Sequence, residues 1–207
     1  MNITVLDHPL AVHYLTQLRD KGTPPDSFRV LTKRLTTLLV VEATRDLSLS
    51  PSTVETPMET FAGSKLAQGL TVVPVLRAGL GMLDPIVELF PDVSVGYIGL
   101  ERDHTTAVAS SYYAKLPPNM QGRLTLVLDP MLATGGSASN ALTRVKAAGA
   151  RQVAMLCMVA APEGVRVVNE GHPDVPIFTA GLDRQLNDRK YVLPGLGDFG
   201  DRLYGTT

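Results

Sequence analysis

The chemistry in this chain concentrates in one nine-residue stretch, Asp129-Pro130-Met131-Leu132-Ala133-Thr134-Gly135-Gly136-Ser137. An apolar run, 126–128, leads into it, and a run of helical character, 139–148, follows. Successive glycines let the backbone turn tightly and point N–H groups at a ligand, and a helix N-terminus adds positive potential. Thr134 and Ser137 add hydroxyls. A phosphate fits such a cradle without a lysine, and Asp129 is placed to hold the hydroxyls of a sugar attached to it. Gly-Gly-Ser alone would equally suit a capped strand-to-helix connection. The strand, the acid at its end and the helix together point to a phosphate site. Neither Gly-x-x-x-x-Gly-Lys-Ser/Thr nor a strand-borne Gly-x-Gly-x-x-Gly with a matching acid occurs.

Two further segments carry candidates. Val75-Leu76-Arg77-Ala78-Gly79 reads as a second glycine-rich strand end, where Arg77 can grip an anion and Gly79 admits backbone close to it. The stretch from Glu101-Arg102-Asp103-His104 to Ser111, small and polar, reads as a mobile loop able to close over a bound molecule. His104 is read as a solvated loop residue. His8, His13 and His172 are scattered and suggest no metal site.

These segments need a frame. Residues 9–20 read as a short helix and Asp26 as the cap of a longer one, with Phe28, Leu31, Leu35, Leu38 and Leu39 on one face. A strand is expected at 53–57, then apolar strands at 70–76, 93–100, 124–128 and 153–160. Helices at 80–90, 139–148 and 163–170 separate them. Continuous apolar strands alternating with helices predict an α/β fold with a mainly parallel sheet covered on both faces. Ligands then bind at the carboxyl ends of the strands, where Asp129–Ser137 falls. Residues 180–207 break the pattern: rich in Gly and Asp, they still carry Tyr191, Val192, Leu193, Phe199 and Tyr204. That composition predicts an ordered flap over the strand ends rather than a ragged tail.

At 207 residues and 44% apolar composition, the chain suits one domain, 1–207. A net charge of −1 and the lack of a Lys/Arg cluster argue against nucleic acid or a membrane surface as partner. Cys157, alone in an apolar run, is expected to be a buried inert thiol. Apolar runs too short for a bilayer, and a first segment unlike a signal peptide, make a cytoplasmic setting the expectation.

Asp129–Ser137 resembles the phosphoribosyl-pyrophosphate (PRPP) loop of type I phosphoribosyltransferases. Its wording, with Pro130 where most relatives carry a second acid, resembles the uracil phosphoribosyltransferase branch. The resemblance runs from Asp7-His8-Pro9 to Gly205-Thr206. It implies transfer of the phosphoribosyl group of PRPP to uracil, giving UMP and pyrophosphate. It implies PRPP binding by Arg77, Ala78, Gly79, Arg102, the loop residues Asp129, Pro130, Met131, Leu132, Ala133, Thr134, Gly135, Gly136 and Ser137, and Asp198. Uracil would meet Tyr191, Val192, Gly197, Asp198 and Phe199, largely through the main chain. Arg102, Asp129 and Asp198 would be catalytic. Magnesium would be carried by PRPP with no direct protein ligand. The resemblance also implies a homodimer or homotetramer and, in some members, GTP as activator. A purine-specific relative fits the one-acid loop and the Gly197-Asp198-Phe199 tail less well, and an RNA-binding relative would show a basic face.

Overall fold

The computed structural model describes residues 2–102 and 109–206. In chain order the elements are β1 (Ile3–Val5), α1 (Pro9–Arg19), α2 (Pro25–Ala43), β2 (Leu49–Glu55), β3 (Thr60–Leu66), β4 (Leu70–Leu76), a 3₁₀ turn (Ala78–Met82) and α3 (Leu83–Leu89). Next come β5 (Ser94–Val95), β6 (Tyr97–Arg102), β7 (Ala109–Lys115), β8 (Leu124–Leu128), β9 (Met131–Leu132), α4 (Gly136–Ala147), β10 (Gln152–Ala160) and α5 (Pro162–Gly171). The chain closes with β11 (Ile177–Leu182), β12 (Gln185–Leu186), β13 (Val192–Leu193) and α6 (Phe199–Tyr204).

The central sheet runs β1-β11-β10-β8-β4-β6-β7, with β5 beside β4 and β9 beside β10. Every pairing in it is parallel except β6 with β7. Alternation along the strands splits the core in two. Leu70, Val72, Leu126, Leu128, Leu156 and Met158 pack with α1, α2 and α6 on one face. Val73, Val75, Val127, Met155 and Cys157 pack with α4 and α5 on the other. Two-sided burial explains why these strands read as unbroken apolar runs. Burial also pushes the Cys157 thiol up to about 12, as expected of an inert structural cysteine.

Several local expectations need correction. Asp26 does not cap α2: Pro24 holds the cap position, and Asp26 lies in the first turn, where its carboxylate accepts from Ser27 N–H. Of the strand placed at 53–57 only 53–55 fall in β2, one arm of a hairpin whose other arm, β3, carries too little apolar periodicity to be read. The helix placed at 80–90 starts as a 3₁₀ turn. The strand placed at 93–100 divides at Gly96, whose N–H bonds Val72 O at 2.9 Å. The helix placed from 139 begins at Gly136, which brings its first turn into the 129–137 loop. Part of the expected mobile loop, 109–111, belongs to edge strand β7, while His104 and the rest of residues 103–108 lie outside the described residues. The segment 180–207 is less irregular than expected, since it holds the end of β11, the β12–β13 hairpin and α6. No described helix is long and apolar enough to cross a membrane.

Candidate functional site

The Asp129–Ser137 loop is built by β10. β8 pairs Leu128 with Leu156, and β9 resumes at Met131 with Val159, in the same register. Between them Asp129 N–H donates to Leu156 O at 3.1 Å, and Met158 N–H donates to Pro130 O at 3.0 Å. The loop therefore leaves the sheet without slipping along it. Gly135, at φ +82°, turns the chain into α4 with no side chain capping the helix. The first-turn N–H groups are thus available to an anion. α5 braces this turn from outside. A Cβ on Gly164 would lie 2.5 Å from Ala133 O, and one on Gly135 would lie 2.8 Å from Gly164 O. Only glycine at both positions lets the two backbones meet. At the far end of α5, buried His172 reaches back to α4, with Nε2 at 3.1 Å from Ser139 O and 3.2 Å from Ser139 Oγ. Burial, seconded by Lys146, lowers the pKa of this imidazole.

The second segment sits beside the first. β4 ends at Leu76, the Leu76–Arg77 peptide is cis, and the 3₁₀ turn follows. Gly79 is buried so closely that a Cβ there would overlap Leu128 O. Arg77 is exposed, and its carbonyl accepts from the Tyr204 hydroxyl of α6 at 3.3 Å. Burial raises the pKa of that phenol, and Arg77 opposes the shift.

The flap forms the third wall. β12 and β13 pair antiparallel around a turn organised by Asn187. The Asn187 side chain accepts from Arg189 N–H at 3.0 Å and Tyr191 N–H at 2.9 Å. Lys190 holds φ +65° in that turn. Leu186 N–H donates to Glu163 Oε1 at 3.0 Å, tying the hairpin to α5, and this bond lowers the pKa of the carboxyl. The Asp198 side chain accepts from Asp201 N–H at 3.0 Å and so caps α6. Phe199 turns its ring inward, edge-on to Phe28 at 5.1 Å, which leaves main chain toward the site.

All three segments meet around one cavity of about 720 Å³ at the carboxyl ends of the parallel strands. Arg77 and Ala78 line it from one side, and Asp129, Met131, Ala133 and Ser137 from another. Tyr191, Val192, Gly197, Asp198 and Phe199 line it from the flap. Gly79, Pro130, Leu132 and Gly135 are buried and do not line the wall, while Thr134 and Gly136 lead into α4. Arg102 ends β6, and its side chain is not among those described. Sequence reasoning missed Asp188, Arg189 and Lys190, which also line the cavity. Their signal was a polar Asn-Asp turn between two short apolar pairs, which locates a hairpin but not the direction it faces.

Among the described residues, no three His, Cys, Asp or Glu side chains gather as a metal cage. The cavity lining does include the acids Asp129, Asp188 and Asp198. Oxygen donors of this kind suit magnesium, which keeps several waters and binds through one or two carboxylates plus substrate phosphates.

Comparison with known proteins agrees along the chain. The family model for uracil phosphoribosyltransferase matches residues 5–206. The uracil phosphoribosyltransferase of Listeria innocua is 50% identical over 206 residues, 99% of each chain. That of Roseiflexus castenholzii is 50% identical over 204 residues, 99% of this chain and 98% of its own. A solved protein from Aquifex aeolicus matches with a TM-score of 0.95 and 36% identity over 99% of both chains. Adenine phosphoribosyltransferase from Trypanosoma brucei, solved with AMP, pyrophosphate and ribose-5-phosphate, shares the fold at a TM-score of 0.60 and 15% identity, over 91% of this chain and 87% of its own. Half of the residues shared over essentially the full length leave one assignment, and the chain belongs to the uracil phosphoribosyltransferase family, with a type I phosphoribosyltransferase fold.

Proposed function

We propose that the chain transfers the 5-phosphoribosyl group of PRPP to N1 of uracil, releasing UMP and pyrophosphate. The observation that carries this reading is the single cavity shared by the arginine turn, the phosphate loop and the flap. The 5′-phosphate sits on the loop from Thr134 to Ser137, against the uncapped start of α4. Asp129 holds ribose hydroxyls and favours positive charge developing on the ring. Arg77 and Arg102 grip the pyrophosphate. Magnesium would be carried by PRPP with no direct protein ligand, Asp198 facing that complex, and would supply positive charge against the leaving group. The bond from N1 to C1′ forms as the C1′–oxygen bond to pyrophosphate breaks and the N1 proton is released. A transition state of oxocarbenium character follows by analogy with glycoside chemistry. No nucleophilic side chain is required, and the rate comes from positioning and charge stabilisation.

Uracil offers acceptors at O2 and O4 and a donor at N3. Main-chain groups of Val192 and Gly197–Phe199 match that pattern at close range, Gly197 without a side chain in the way. Cytosine carries a donor at position 4 and no N3–H, so it leaves buried groups unpaired at a cost of about 1–3 kcal/mol each. The test is UMP formation from PRPP and labelled uracil with magnesium, with cytosine, hypoxanthine and orotate in parallel. Product from uracil alone supports the whole assignment. Product from another base alone keeps the phosphate loop and sinks the flap assignment. The homodimer or homotetramer and the GTP activator are carried forward as family expectations. Light scattering tests the first, and GTP titration of the rate tests the second.

A further inference from the structure

The flap is fastened to the sheet by charged side chains that touch none of the cavity. Asp183 follows β11 directly, and its N–H donates to Ala160 O at 2.8 Å, which seats it at the carboxyl end of the sheet. Its side chain is 4% exposed. Arg19, the last residue of α1, donates to it twice, Nη2 to Oδ1 at 2.5 Å and Nη1 to Oδ2 at 2.9 Å. The same pair then holds both backbone groups of one flap residue. Gly195 N–H donates to Asp183 Oδ2 at 2.9 Å, and Gly195 O accepts from Arg19 Nη1 at 2.9 Å. The next carbonyl is also held by a cation. Leu196 O accepts from Arg202 Nη1 at 2.8 Å. Arg202 also donates to Leu18 O and Asp20 O, both at 2.5 Å, and lies 4.4 Å over the Phe28 ring. Gly195 itself, at φ +62°, is turned so tightly that a Cβ would overlap Val192 O.

A buried ion pair is a weak source of stability, because desolvation offsets most of its attraction. What it supplies is directed bonds. Here those bonds end on Gly195 and Leu196, between Val192 and Gly197–Phe199, the two parts of the base-facing main chain. A rotation at Gly195 would move the Val192 groups relative to those of Gly197–Phe199 and spoil a three-point match to a base edge. We propose that Asp183 and Arg19 are positioning residues for base recognition, setting the spacing of the main-chain groups that read uracil. The proposal rests on the function proposed above. It gives α1, remote from the cavity in sequence, a role in specificity.

The test is steady-state kinetics of Asp183→Asn and Arg19→Lys beside the wild type, varying uracil and PRPP separately, with ribose-5-phosphate binding by calorimetry. Asp183→Asn keeps the shape but replaces one acceptor by a donor, and Arg19→Lys keeps the charge but loses the fork. The KM for uracil is expected to rise about tenfold or more, as when a hydrogen-bonding site loses its match to the substrate. The KM for PRPP and the affinity for ribose-5-phosphate should stay within about twofold, since the loop at 129–137 is held separately. A fall in kcat with both KM values unmoved would mean only a smaller folded fraction and would overturn the proposal. So would an equal rise in both KM values. If Asp183→Asn does not fold, Arg19→Lys decides by the same readouts. Wild-type turnover separates the two readings: no UMP from the wild type sinks the function, whereas wild-type turnover with an unmoved uracil KM in the variants sinks only the positioning role.

Discussion

The 129–137 loop, proposed to hold the phosphate, and the flap face each other across one cavity, yet different forces hold them. Residues 129–137 are held by backbone bonds to β10 and by two glycines that let α5 press on the turn. Residues 183–204 are held by side chains from distant parts of the chain: Arg19 on α1, Glu163 on α5, and Arg29, which donates to Leu203 O at 2.9 Å. A backbone-built cradle is rigid and suits a phosphate, which is alike in every substrate of this kind. A loop fastened by side chains can be re-aimed by single substitutions, which suits the part proposed to select the base.

Gly164→Val should have the largest effect. Its branched side chain would drive into Ala133 O and Leu132 O, and overpacking of that order costs about 3 kcal/mol. Thermal unfolding should shift down by about 6–12 °C, and ribose-5-phosphate binding should be lost with it. Survival of that binding would mean the loop does not depend on α5. Asp129→Asn comes next: kcat should fall about 100-fold, the size typical of one lost electrostatic contact at a reacting centre. Its unfolding temperature should barely move, so unchanged kinetics would remove Asp129 from the mechanism.

Acid should separate the two regions. The folded-state pKa of His172 lies below its unfolded value, so its contribution is present above about 6.5 and is lost as pH falls further. Glu163 is likewise lowered, by the Leu186 N–H, so its contribution is lost only below about 4.3. The phosphate side should therefore loosen first on acidification and the flap second. Denaturant titrations against pH check this: His172→Gln should flatten the upper limb and Glu163→Gln the lower. The smallest effect belongs to Lys190, which holds φ +65° without being glycine. Lys190→Gly should stabilise by less than about 1 kcal/mol, the left-handed penalty net of glycine's entropy, seen as a small rise in unfolding temperature.

The same contrast explains what could be read in advance. β4 and β8 were legible to the residue, since strands buried on both faces leave unbroken apolar runs. The strand–turn–helix form of 129–137 was legible because its parts are adjacent in sequence. β1, β11 and β3 were not, and β2 only in its last residues: β1 is a three-residue edge strand, β11 mixes Thr and Gly into its apolar run, and the β2–β3 hairpin is largely exposed. Asp26 looked like a cap because Asp prefers that position, but Pro25 fixes the first helical residue and leaves Pro24 outside it.

Sequence alone determined the form of 129–137: an acid, a glycine turn and a helix start in order along a few residues, where local backbone preferences decide the shape. It also determined the sheet class, because burial on both faces leaves its mark on every strand. Tertiary structure alone decided that Arg19 meets Asp183, that both close on Gly195, and that Arg189 and Lys190 face the cavity. Arg19 lies more than a hundred positions from both Asp183 and Gly195, and the cavity-facing pair turns on the direction of a hairpin. Charged side chains at such positions look in sequence like any solvated surface, until packing brings them together.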